Sequence, residues 1–376
     1  MNIDFSDELK QLRDVARRVL SDHATIAAAR RVIADGSGID RDLWKSIAGL
    51  GWLAASIPEE YEGLGLGGLS ACVLAEELGR AIAPIPFASS VYLATEALIL
   101  FGSDEQKGRY LPKLASGEII GTFAAVEGNG RFFGVPSLTR AEGGRLSGHK
   151  SMVPDGGVAD FAIVSVRSGP GEPSLFVVAT DADGVSRKRI ATIEPACYCT
   201  SMRFTEAPAE PLAHALGPEA IERLVDRAAV MMAFEQVGVA DAALQTAVRY
   251  AKDRYAFGRP IGSFQAIKHK LADVYVSLEL ARSNAYFGAW ALQSDAEEIA
   301  VAAPSSRVAA SEASWFATKE NIQTHGGMGF TWEADCHLYY RRAEFLGLAL
   351  GGTQEWKRRL IDALRKQDSA VLTGVA

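Results

Sequence analysis

Cysteine is scarce in this chain: four in 376 residues, at positions 72, 197, 199 and 336, too few and too scattered for a disulfide framework. Cys197 and Cys199 form a C-x-C in a strand-like stretch, with no second pair at zinc spacing. Both read as small packing residues, and no metal site is expected. Basic runs are missing too. Lys and Arg number 39 against 46 Asp and Glu, a formal net charge of −7. Phosphate binding needs clustered cations, so nucleic acid is excluded as an expected partner. No apolar run is long enough to span a membrane. The most apolar stretch, residues 81–102, contains Pro84, Pro86 and Glu96, and reads as a loop followed by a buried helix. Met1-Asn2-Ile3-Asp4 is polar and acidic, unlike a secretory leader, which leaves the cytoplasm as the default compartment. There is no internal repeat and no low-complexity tract.

What is present is ordinary globular material, 48% apolar and 23% charged, in a chain long enough for two or three packed layers. Residues 1–120 read as helices. Ser6 stands before an amphipathic run through Leu9, Leu12, Ala16, Val19 and Leu20, and Leu43, Trp44, Ile47 and Leu50 repeat that spacing. Ser103 and Gln106 match a capping box, and glycines at 63, 65, 67 and 68 mark an irregular loop. Residues 121–212 change texture. Short β-rich runs at 122–126, 161–166, 175–179 and 197–204 are separated by turn signals at 142–144 and 181–184. From 213 to 376 long helices return: one from Pro218 to about Asp253, one over 263–293 started by Ser263, and one over 304–324. Shorter ones follow near 333–346 and 354–366. Long helices on short loops argue for an antiparallel four-helix bundle. The predicted fold class is therefore mainly α with an inserted β-barrel.

Two segments carry chemistry. In Arg254-Tyr255-Ala256-Phe257-Gly258-Arg259-Pro260-Ile261, Gly258 and Pro260 end a long helix and Arg254 and Phe257 share its last turn. A guanidinium suits a pyrophosphate through paired, charge-assisted hydrogen bonds, although an arginine there, taken alone, is more often a plain helix C-terminal cation. In Gln323-Thr324-His325-Gly326-Gly327-Met328-Gly329-Phe330, two adjacent glycines let backbone amides approach a ligand. No strand precedes them, so this is not the dinucleotide fingerprint G-x-G-x-x-G.

Together the segments resemble the acyl-CoA dehydrogenase family, which carries R-x-x-F-G, a following Gln, and a later Q-x-x-G-G-x-G. Here these are Arg254, Phe257, Gly258, Gln265, Gln323, Gly326, Gly327 and Gly329. The resemblance covers nearly the whole chain. It implies a helical domain, a β-barrel and a four-helix bundle, with FAD between barrel and bundle. The two motifs would reach the FAD of a neighbouring subunit in a homo- or hetero-oligomer. Arg254, Phe257, Phe264, Gln265, Gln323, Gly326, Gly327 and Thr353 are the implied cofactor-binding residues. The implied reaction is α,β-dehydrogenation of an acyl-CoA thioester, with electrons passing to an electron-transfer flavoprotein.

The sequence departs from that family where the proton is removed. A glutamate normally takes the α-proton while hydrogen bonds to the thioester oxygen acidify it. Counting from Gln323 puts Leu350 at its position, or Gly351 with one insertion, and the alternative site on the first bundle helix is Ala228. None is a carboxylate. Asp226 points about 200° away from Ala228, and Glu235 lies about 10 Å along the axis, where a satisfied buried glutamate is expected. Glu355, a turn past Gly351, is a candidate for a cofactor-side role. In the barrel, Val126-Glu127-Gly128-Asn129-Gly130 and Met152-Val153-Pro154 replace the family's T-E-P and flavin-side segments. The pattern resembles a divergent bacterial branch whose members serve as subunits of heteromeric enzymes, where one subunit type supplies the base. Two other readings fit the same residues: a non-catalytic subunit that completes a neighbour's FAD site, and a flavin monooxygenase on the same fold.

Overall fold

Serine before an amphipathic run predicts a helix start, and Ser6 caps α1 (Asp7–Asp22) by accepting from the Leu9 amide. The computed structural model describes residues 5–23, 25–128, 132, 137–168 and 172–373. After α2 (Thr25–Asp35), α3 (Arg41–Gly49) buries Leu43, Trp44 and Ile47. Leu50, expected on the same face, falls just past the helix end and is exposed. α4 (Gly68–Ala81) leaves the glycine loop directly. The apolar stretch becomes a buried π-helical segment, Ala88–Thr95, which runs into α5 (Glu96–Phe101). Ser103 and Gln106 form the reciprocal capping box of α6 (Asp104–Ala115).

Among the described residues eight strands follow: β1 (Gly121–Ala124), β2 (Arg140–Glu142), β3 (Arg145–Val153), β4 (Phe161–Ser168), β5 (Glu172–Ala179), β6 (Val185–Arg189), β7 (Thr200–Pro208) and β8 (Glu210–Leu216). They form one mixed sheet in the order β6-β7-β3-β2-β4-β5-β8, with β1 parallel to β4. Leu146, Val153, Val164, Val166, Met202 and Phe204 build its core. Cys197 and Cys199 precede β7 in a turn and are not in a strand. There the Cys197 thiol donates to Asp155 at 3.0 Å. Asn129 and Gly130 lie outside the described residues.

The C-terminal helices are α7 (Pro218–Asp253), α8 (Gln265–Gln293), α9 (Ile299–His325), α10 (Cys336–Leu348) and α11 (Thr353–Thr373). Two starts differ from expectation. Ser263 does not cap α8, because its hydroxyl donates to the Pro260 carbonyl at 2.7 Å. α9 begins at Ile299, ahead of Pro304, whose preceding turn is held by the buried Ala302 and Ala303.

The chain divides into two compact units. One comprises Met1–Ile26, Cys72–Ala83 and Ala229–Ala376, and the other Ala27–Ala71 and Pro84–Ala228. In the first, α8, α10 and α11 pack on α9. There α4 and α7 cross backbone to backbone: a Cβ on Gly79 would meet the Glu235 carbonyl at 2.0 Å, and one on Gly238 the Glu76 carbonyl at 1.9 Å. Among the described residues no helix is long and apolar enough to cross a membrane, and no His, Cys, Asp and Glu cluster could hold a metal ion.

Candidate functional site

The joint after α7 is a small hairpin, which corrects the reading of Arg254 and Phe257 as parts of the helix's last turn. The Arg254 amide still donates to the Tyr250 carbonyl at 2.8 Å. Tyr255 and Ala256 then pair with Pro260 and Arg259, and the chain reverses at Phe257 (φ 53) and Gly258 (φ 76). Two successive residues at positive φ with glycine second make a tight hairpin turn, which outcompetes the helix. The turn pushes Phe257 into solvent, 95% exposed, with its ring edge-on to Phe264 at 6.2 Å. The Arg259 guanidinium covers the Phe264 ring at 4.0 Å. Arg254 and Gln265 are exposed.

α9 stops at His325 because Gly326 (φ 61) turns the chain. The structure brings the two motifs together in one unit: Tyr250, one turn before Arg254, stacks on His325 at 4.0 Å. Gln323, Gly326 and Gly327 are exposed, and a Cβ on Gly258, Gly326 or Gly327 would meet nothing within 4 Å. Met328 and Phe330 are exposed beside them. An exposed cation, open glycine backbone and an apolar rim suit a dinucleotide: charge for the pyrophosphate, approachable amides for its oxygens, and rings for flat groups.

Thr353 lies at the start of α11. It lines a cleft of about 560 Å³ with Trp315, Phe316, Leu348, Gln354 and Lys357, within the same unit.

The loop between α10 and α11 holds Leu350 and Gly351. Both have positive φ, 59 and 94. Leu350 is buried, and its carbonyl accepts from the Trp356 indole at 3.0 Å. Glu355, the candidate cofactor-side carboxylate, accepts from the Gly352 amide at 3.2 Å through one oxygen, closing the first turn of α11, while its other oxygen is buried without a hydrogen-bond partner among the described residues. Arg307 on α9 is fully buried. It donates to the Gln236 side chain and to the carbonyls of Leu346 and Ala349, the last at 2.6 Å. Burial pulls its guanidinium down, opposed by the charge of Glu235. Sequence reasoning missed Arg307 and Trp356. The available signal was a single arginine amid the small residues of α9.

Ala228 is buried within α7 and presents only a methyl group. Its neighbour Arg227 pairs with Glu96. Glu235 is buried and accepts from Arg342 at 3.3 Å, so it is the satisfied structural glutamate expected. In the sheet, Val126 bridges Met152, and Glu127 binds the buried Lys150. Glu127 also accepts from Ser137, the Leu138 amide and Thr139. Burial alone would raise Glu127, but the Lys150 charge and these donors outweigh it and hold the carboxyl at about 2.

A family model described as "Acyl-CoA dehydrogenase, N-terminal domain" matches residues 6–118, and "Acyl-CoA dehydrogenase, C-terminal domain" matches 217–364. Acyl-CoA dehydrogenase IpdE2 of Mycobacterium tuberculosis is 34% identical, covering 94% of this chain and 96% of that protein. The solved structure described as "Tcur3481-Tcur3483 steroid ACAD G363A variant" is 33% identical with TM-score 0.89, covering 96% of this chain and 99% of that one. The ChsE4-ChsE5 complex from Mycobacterium tuberculosis is 27% identical with TM-score 0.89, covering 97% and 99%.

Proposed function

The chain belongs to the acyl-CoA dehydrogenase family, and on that premise we propose that it is the FAD-binding, base-lacking subunit of a heteromeric acyl-CoA dehydrogenase in the cytoplasm. A second subunit type would supply the glutamate. The observation that carries this reading is the α10–α11 loop: it is rigidly held, yet Leu350 and Gly351 offer no carboxylate, and neither does Ala228. Two similar structures support the assembly by their descriptions, which name paired chains, and one of them names a steroid enzyme. A steroid-derived acyl-CoA is therefore the favoured substrate class, with electrons leaving to an electron-transfer flavoprotein.

FAD supplies the hydride acceptor when bound. The chain's own residues divide the remaining work. Arg254 would pair with the pyrophosphate, while Gln323 and the open amides of Gly326 and Gly327 take polar atoms of the cofactor. Phe257 and Phe264 would cover its apolar surface, and Gln265 flanks them. Thr353 would donate its hydroxyl from the cleft at the start of α11. Glutamate being absent, the loop's contribution is limited to backbone hydrogen bonds, which polarise a thioester without removing a proton.

FAD content and native mass test the assembly. Purified alone, the chain should hold less than one FAD per subunit. Co-purified with a family member carrying the glutamate, it should hold full FAD in a larger complex. Full flavin occupancy in a homo-oligomer that forms no complex with such a member would count against the heteromeric reading.

A further inference from the structure

We propose that Cys197 and Cys199 form a redox modification site, a pair of thiols that a peroxide closes into a reversible disulfide within the turn before β7. The site is independent of the acyl-CoA reading above.

C-x-C spacing does not by itself bring two sulfurs together. A strand advances about 3.3 Å per residue, so Cα atoms two apart stand about 6.6 Å from each other, at the upper limit of what a disulfide allows. Here the chain is folded more tightly. The Cys199 amide donates to the Cys197 carbonyl at 3.0 Å, a three-residue turn centred on Tyr198. Its entry is held by the Cys197 amide, which donates to the Glu194 carbonyl at 3.2 Å, and its exit by the Cys199 carbonyl, which accepts from the Ile190 amide at 2.9 Å. The Tyr198 ring is wedged against Gly157, where a Cβ would meet it at 2.3 Å, and the Arg189 guanidinium lies over the ring at 4.4 Å. As a result the two sulfurs touch at 3.5 Å.

A carboxylate completes the site. Asp155 is buried; one oxygen accepts from the Cys197 thiol at 3.0 Å and the other from the Ser89 hydroxyl at 2.6 Å. Cys199 is buried and Cys197 half-buried, so an oxidant meets Cys197 first. Contact with Cys199, burial and the Asp155 charge push the Cys197 thiol well above its ordinary range, which keeps it protonated until Asp155 takes the proton. Among the described residues no grouping of three ligands could hold a metal ion, which favours oxidation as the chemistry of the pair.

The step balances with a peroxide as oxidant. The Cys197 sulfur attacks one peroxide oxygen, the O–O bond breaks, and the departing hydroxide takes the thiol proton by way of Asp155, giving a sulfenic acid and water. The Cys199 sulfur then attacks Cys197; the S–S bond forms, the S–O bond breaks, and hydroxide leaves with the Cys199 proton as a second water. Two thiols are oxidised and one peroxide is reduced. The disulfide has no proton to donate, so Asp155 loses that hydrogen bond. A ring closed across one residue is small and strained, and such disulfides are readily reduced.

The test treats the full chain with hydrogen peroxide, unfolds it, alkylates it with N-ethylmaleimide and maps the label by mass spectrometry. Two of the four cysteines, Cys197 and Cys199, should lose the label and appear as one peptide lighter by two hydrogens, while Cys72 and Cys336 keep it. Dithiothreitol should restore all four. In Cys199→Ser, Cys197 should stop at a sulfenic acid trapped by dimedone, then pass to a sulfinic acid that dithiothreitol does not reverse. A pair that stays fully labelled at a dose that oxidises free cysteine overturns the proposal. So does a wild-type Cys197 sulfinic acid beside an intact Cys199 thiol, or a disulfide from either residue to a third cysteine. The wild-type map decides the matter even where the variant fails to fold.

Discussion

Tyr250 stacks on His325 with ring centroids 4.0 Å apart and planes inclined by 26°. The contact joins the end of α7 to the end of α9, within one compact unit. It places the hairpin bearing Arg254 and the turn bearing Gly326 and Gly327 as one outward-facing surface, with Phe257 and Phe330 among its most exposed side chains. Large exposed aromatics beside open backbone are costly in isolation.

Arg254→Ala should lower FAD retention. Each charge-assisted bond to a pyrophosphate contributes roughly 1.5–3 kcal/mol, so affinity should fall by at least about tenfold. Flavin content after gel filtration, against a Tyr250→Ala variant that loosens the same surface indirectly, is the measurement. Unchanged occupancy in Arg254→Ala removes that residue from the cofactor site.

Gly238→Ala should be among the most damaging single-methyl changes. Its Cβ would stand 1.9 Å from the Glu76 carbonyl, and a backbone atom cannot swing away as a side chain does. Overpacking of this kind costs about 1–3 kcal/mol or more. Thermal denaturation should show a lowered midpoint, while an alanine at Gly258, where the space is open, should cost only the strain of φ 76.

The Glu127–Lys150 pair makes stability acid-sensitive. A carboxyl held at about 2 in the folded state, below its ordinary 4.5, contributes fully above pH 4.5 and loses that contribution as pH falls toward 2. At about 1.4 kcal/mol per pK unit the ceiling is about 3 kcal/mol, and solvent screening of a half-buried carboxylate lowers it. The stability gap between wild type and Glu127→Gln should therefore narrow by about 1 kcal/mol from pH 5 to pH 3, followed by urea denaturation. A gap independent of pH over that range would show that Glu127 is not held ionised.

Much of the helical frame was legible because its signals are local. Ser6, the Ser103–Gln106 box and Pro218 each specify a helix start through bonds within a turn. β6 was not legible, because Val-Ser-Arg-Lys-Arg carries no alternation and its residues are largely exposed. Neither was the 255–260 hairpin, since Gly258 serves equally well as a helix terminator and as a hairpin turn residue. The loop at Leu350 shows the limit most clearly. Its sequence locates the missing carboxylate, but the clamp comes from Arg307, which lies 39 residues away in the chain from Leu346. Backbone conformation also separates the two candidate positions. Gly351 at φ 94 resists any side chain, whereas Leu350 at φ 59 already carries one.

Anaerobic bleaching of the flavin tests whether a chain proposed to bind flavin and thioester has no proton acceptor of its own. The holo-protein alone should not be bleached by butyryl-, octanoyl- or steroid-derived acyl-CoA, because losing a positioned base costs about a hundred- to ten-thousand-fold in rate. Bleaching should appear when it is assembled with a family member that carries the glutamate. Rapid bleaching of the isolated chain by any of these thioesters would show that it carries a proton acceptor.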